Sequence, residues 1–96
     1  MLARVTTWEG ASADDIRSAA EEMRENIKAG PPEGMRSAGI TMLIDPEGGS
    51  VMIIGLFETD EDLAAGEAVL KEMNPPAGMG EMPSKVIYEV AAEARM

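Results

Sequence analysis

Ile40-Thr41-Met42-Leu43-Ile44-Asp45-Pro46-Glu47-Gly48-Gly49-Ser50-Val51-Met52-Ile53-Ile54-Gly55-Leu56-Phe57 is the segment on which the architecture turns. Two apolar runs, Ile40 to Ile44 and Val51 to Phe57, are joined by Asp, Pro, Glu and two Gly. Pro presets a turn and Gly admits positive φ, so the segment predicts a β-hairpin. Strand side chains alternate between faces. In the first run Ile40, Met42 and Ile44 share one face and Leu43 takes the other. In the second, Val51, Ile53 and Phe57 share one face, and Met52, Ile54 and Leu56 the other. A half-solvated antiparallel strand would carry polar residues on its wet side. These two strands are apolar on both.

Outward from the hairpin, Thr59-Asp60-Glu61-Asp62 has a capping hydroxyl followed by acids, which suit a helix N-terminus. Leu63, Gly66, Leu70 and Met73 then recur at helical spacing until Asn74-Pro75-Pro76 ends the helix. Upstream, Ser12 caps Ala13-Asp14-Asp15, and Ile16, Ala19, Ala20, Met23 and Ile27 form the stripe of an amphipathic helix. Gly30-Pro31-Pro32 must stop it. The β-branched and aromatic residues of Leu2 to Trp8 predict a first strand, and Lys85 to Ala92 a last one. The order β-α-β-β-α-β in 96 residues describes a single α+β, ferredoxin-like domain. Its four-stranded antiparallel sheet would carry two helices on one face. Pro31-Pro32-Glu33-Gly34-Met35 and Pro75-Pro76-Ala77-Gly78-Met79 share the pattern P-P-x-G-M in equivalent helix-to-strand loops. Each could use stiff polyproline geometry to hold a Met over one end of the sheet.

Two short helices cover one face of such a sheet. The other face, apolar as well, predicts a homodimer with two sheets face to face about a two-fold axis, closing toward a barrel. Net charge −10 makes nucleic acid a poor partner. Absence of Cys and His removes disulfides, zinc motifs and Ser-His-Asp or Cys-His catalysis. No apolar run reaches the ~20 residues of a membrane span. The chain enters a strand pattern from Met1 onward without a signal-peptide pattern, so a soluble cytoplasmic protein is expected.

Ala3-Arg4-Val5-Thr6-Thr7-Trp8-Glu9-Gly10, Leu43-Ile44-Asp45-Pro46-Glu47-Gly48-Gly49, Leu56-Phe57-Glu58-Thr59-Asp60-Glu61-Asp62-Leu63 and Val86-Ile87-Tyr88-Glu89-Val90 carry a family resemblance. In order and spacing the chain resembles small actinobacterial members of the dimeric α+β barrel superfamily, near the antibiotic biosynthesis monooxygenase-like domains. The resemblance implies the fold and the dimer. It leaves open several activities: cofactor-free oxygenation, haem degradation, isomerisation or plain ligand binding. Without His there is no His ligand for haem. Asn26 and Asn74, which an oxygenase could draw on, fall on the first helix and at the end of the second, away from a cavity.

On the first strand Arg4, Thr6 and Trp8 share a face, and the smaller Ala3, Val5 and Thr7 share the other. The smaller set suits close helix packing, so the larger is expected to look into the inter-sheet space. An Arg there needs a partner. Glu89, on the neighbouring last strand, is the expected one. Arg4, Thr6, Trp8, Met42 and Glu89 then line a chamber for a small, largely apolar molecule, with no metal, haem or other cofactor. Alternatively, Arg4 and Glu89 form a structural ion pair at the dimer seam and Trp8 is core. A cofactor-independent monooxygenase or isomerase acting on an aromatic polyketide-like substrate is the second functional reading. Nine Met against three aromatic residues could make the lining pliable, or serve as ordinary packing. Gly78-Met79-Gly80 is no dinucleotide fingerprint, because Pro83 stands at the last Gly position. Asp60, Glu61 and Asp62 are adjacent, so their side chains diverge and make no metal cage.

Overall fold

In chain order the elements are β1 (Leu2–Glu9), α1 (Ala13–Ala29), β2 (Gly39–Asp45), β3 (Ser50–Phe57), α2 (Asp60–Glu72) and β4 (Glu81–Glu89). The computed structural model describes residues 1–30, 34–72 and 81–94. The strands form one antiparallel sheet in the order β2-β3-β1-β4. With the order β-α-β-β-α-β, this is the ferredoxin-like α+β architecture that the sequence predicts.

Local chemistry sets the element boundaries. In the hairpin turn the Gly48 N–H donates to Asp45 Oδ1 at 3.0 Å. Gly49 has φ +73°, and a Cβ there would come within 3.0 Å of the Ala11 carbonyl oxygen. A side chain at this position would therefore be both strained and crowded. The Gly10 N–H donates to the Gly49 carbonyl at 3.1 Å, tying the turn to the start of α1. Ser12 caps α1 by accepting from the Asp15 N–H at 3.2 Å, and Thr59 caps α2 by accepting from the Asp62 N–H at 3.1 Å. Asp14 and Asp15 lie in the first turn of α1 and Lys28 in its last, matching the helix dipole. The helix ends at Ala29, where Gly30 takes φ +92° and its N–H returns to the Ile27 carbonyl.

The register sorts the strand residues into rows. On one face run Ile40, Gly55, Arg4 and Ile87, then Met42, Ile53, Thr6 and Lys85, then Ile44, Val51 and Trp8. On the other run Gly39, Leu56, Ala3 and Tyr88, then Thr41, Ile54, Val5 and Val86, then Leu43, Met52 and Thr7. Ile16 and Ala19 of α1 are buried with Val51, and Trp8, Met42, Ile44 and Ile53 pack against them. The first set of rows is therefore the helix side. At the far end of the same side, Phe57 is buried beneath Gly66 of α2.

Three expectations are corrected. First, β4 spans Glu81–Glu89 rather than 85–92. Pro83 lacks a ladder donor, but β4 is an edge strand, where Pro is tolerated. The strand stops at Glu89 because that residue already stands opposite Leu2, the first residue of β1. Second, the stripe of α1 is covered only over Ile16, Ala19, Ala20 and part of Met23, and Ile27 is exposed. Third, the faces of β1 are reversed, as described below. The second P-P-x-G-M segment and residues 31–33 of the first lie outside the described residues.

Candidate functional site

Arg4, Thr6 and Trp8 were expected on the outward face of the sheet, and the structure places them under the helices. Trp8 packs on the α1 core, and Arg4 Nε donates to Glu67 Oε1 of α2 at 3.3 Å. The reason lies in where the small residues are. Ala19, Ala20 and Gly66 lie on the helices, so close approach is supplied from the helix side and the sheet can carry the bulky partners. Met42 joins the same layer through its contact with the α1 core. Thus Arg4, Thr6, Trp8 and Met42 share one face, but it is the helix-covered one. Glu89 is not the partner of Arg4. It stands opposite Leu2, whereas Ile87 stands opposite Arg4.

Thr6 is 2% exposed, so its hydroxyl must be satisfied within the protein. Trp8 Nε1 donates to Thr6 Oγ1 at 3.3 Å, and Thr6 Oγ1 donates to the Ile53 carbonyl at 3.5 Å. Among the described residues no buried side-chain polar atom lacks a partner. The buried Thr6 hydroxyl is thus paired within the protein.

Glu67 and Lys85 were not singled out in the sequence, yet with Arg4 they make a cluster of three charges. Glu67 accepts from Arg4 and from Lys85, whose Nζ lies 3.0 Å from Oε2 and 3.3 Å from Oε1. The signal was available: Glu67 follows Leu63 by four residues, beside the buried stripe of α2. The Lys85 hydrogen bond, and then the charges of Arg4 and Lys85, hold the Glu67 carboxyl below its ordinary value against the opposing effect of burial. A carboxylate held between two cations is favoured in its ionised form. It works as a clamp, pinning α2 to β1 and β4. Alongside it, Asp60, Leu63, Ala64, Glu67, Ala68 and Lys71 line a shallow, open groove of about 510 Å³ on α2.

The pH dependence follows from the direction of that shift. A depressed folded-state value adds stability above the ordinary 4.5, and this is lost as pH falls through the lower folded value. Glu67→Gln is expected to flatten the dependence of stability on pH in that acid window, measured by urea unfolding from neutral to strongly acid conditions. An unchanged slope would show that the clamp does not act through this carboxylate.

The uncovered sheet face is the larger feature. Val5, Leu43, Met52, Ile54, Leu56, Val86 and Tyr88 stand on it, and Leu43, Val86 and Tyr88 are 51%, 40% and 54% exposed. Four strands ~4.8 Å apart and six residues ~3.3 Å each give about 400 Å². Among the described side chains, Thr7, Thr41 and Tyr88 bring hydroxyls to its central rows. Charge enters, among the described side chains, in the terminal row, with Asp45 and Glu9, although 27% of the chain is charged. No family model, curated protein or solved structure matches the chain. No described helix is long and apolar enough to cross a membrane.

Proposed function

We propose that the protein is a homodimeric α+β barrel in which two sheets meet face to face and hold a small, largely apolar molecule without metal or haem. The observation that carries this reading is the uncovered apolar face. Contiguous apolar patches of several hundred Å² mark sites of interaction. Net charge −10 disfavours contact between copies through charged surface, and the central rows of this face carry no charge among the described residues. The reading agrees with the family resemblance given above.

The chamber in this reading differs from the one expected from sequence. Its walls are Val5, Thr7, Met52, Ile54, Val86 and Tyr88, not Arg4, Thr6, Trp8, Met42 and Glu89. Apolar side chains supply affinity, and the Thr7 and Tyr88 hydroxyls supply the few polar contacts that orient a ligand. Light scattering on the purified chain should give a mass above the 10.2 kDa of one copy. Native mass spectrometry should then show a small molecule retained by the assembly. A mass of one copy across micromolar concentrations would refute the pairing, and an assembly that never carries a ligand would refute the chamber.

A further inference from the structure

The two edges of the sheet are built differently. Along β4 the edge is guarded by Pro83, which offers no N–H, and by Lys85 and Glu89. β2, the other edge, reads Gly39-Ile40-Thr41-Met42-Leu43-Ile44 with neither charge nor Pro before Asp45. An edge strand turns half of its N–H and C=O groups outward, and an apolar one without charges invites a further strand.

We infer that β2 pairs antiparallel with β2 of a second copy about Met42, so that Ile40 of each copy enters the groove beside Ile44 and α1 of the other. Three observations select this occupant. Ile40 stands on the helix side, across from Gly55, which has no side chain to cover it, and is 45% exposed. Ile44, on the same side, lines a groove of about 250 Å³ with Arg17, Ser18, Ala20, Glu21 and Arg24 of α1. Antiparallel pairing about Met42 sets Ile40 of one copy opposite Ile44 of the other, and opposite residues point to the same face. Each copy thus presents a knob and a hole at equal distances from the two-fold axis, as an isologous contact requires.

Charge agrees with this. Arg17 and Arg24 against Glu21 give the groove a net charge of +1, where the whole chain has −10. In the same pairing Asp45 faces Gly39, and the two Asp45 carboxylates stay roughly 20 Å apart, beyond a Debye length at physiological salt. This edge is separate from the uncovered face, so both can be occupied at once.

Light scattering on three variants tests the edge and the face separately. Ile40→Lys places a charge in the groove at an exposed position, where folding is unaffected, and Ile54→Asp places one on the uncovered face. With both contacts in use, the native chain has at least about four times the 10.2 kDa chain mass, four copies where the two two-fold axes cross at right angles and more where they do not. Each variant alone then falls to two copies, and the double variant to one. A native mass of two copies that Ile40→Lys lowers and Ile54→Asp does not would support the edge and overturn the face-to-face reading. A native mass that Ile40→Lys leaves unchanged overturns the edge pairing. So does a native chain of one-copy mass across micromolar concentrations.

Discussion

Gly66→Ala is expected to destabilise the protein by about 1–3 kcal/mol, the range for overpacking a well-filled core. On an exposed helix the same change would be stabilising, because Ala is the better helix former by up to ~1 kcal/mol. Here geometry reverses the sign. A Cβ on Gly66 would lie 2.5 Å from Cε1 and 2.8 Å from Cζ of Phe57, and 3.2 Å from the Met35 sulfur. Phe57 is 2% exposed and cannot swing into solvent without giving up its own burial. Either α2 lifts from β3 or the ring leaves its place. A lift would also stretch the Glu67 contacts to Arg4 and Lys85, which fix α2 in the same region. For a domain of this size, 1 kcal/mol moves the thermal midpoint by about 4–8 °C. A lower midpoint in thermal unfolding is therefore expected, and the double variant Gly66→Ala, Phe57→Leu should recover part of the loss by vacating the ring. A midpoint that stays level or rises would mean that α2 does not rest on Phe57 as described.

The fold was legible because its signals are local and agree with one another. Asp45 to Gly49 fixes the hairpin, Ser12 and Thr59 start the helices, and Ile40 to Ile44 and Val51 to Phe57 declare apolar faces without further help. Face assignment on β1 was not legible. Alternation separates Arg4, Thr6 and Trp8 from Ala3, Val5 and Thr7, but it does not say which set meets the helices. That depends on which layer supplies the small residues, and Ala19, Ala20 and Gly66 put them on the helices. The partner of Arg4 was hidden for a related reason. Glu67 lies 63 residues away, on an element whose rotation over the sheet follows from the close fit of Gly66 on Phe57. Similarly, the expected last strand starts at Lys85 whereas β4 starts at Glu81 and runs through Pro83, which an edge tolerates, and the position of a strand within its sheet is a property of the whole topology.

Ile53 and Ile54 are neighbours in β3, and the same substitution at each should give opposite results. Ile53 points to the helix side and packs on the core of Ile16, Ala19 and Val51. An Asp at this position is an unpaired carboxylate against an apolar core. That costs about 3–5 kcal/mol, a large share of the ~5–15 kcal/mol that holds a domain together. Ile53→Asp should therefore unfold or nearly unfold the chain, with loss of the cooperative transition in circular dichroism. Ile54 points to the uncovered face, between Thr41 and Val5. In one copy alone, Asp at this position is solvated, so Ile54→Asp should fold. In a face-to-face pair the two-fold axis buries two such carboxylates without partners. Truncating or unpairing buried interface charges costs roughly 2–5 kcal/mol, and each 1.4 kcal/mol is about tenfold in Kd. The folded variant should therefore lose the face contact by at least about 30-fold, read as a concentration-dependent drop in mass. An unfolded Ile54→Asp beside a folded Ile53→Asp would reverse the two faces. A folded Ile54→Asp whose mass equals that of the native chain would leave the apolar face with no copy on it, and the chamber with no second wall.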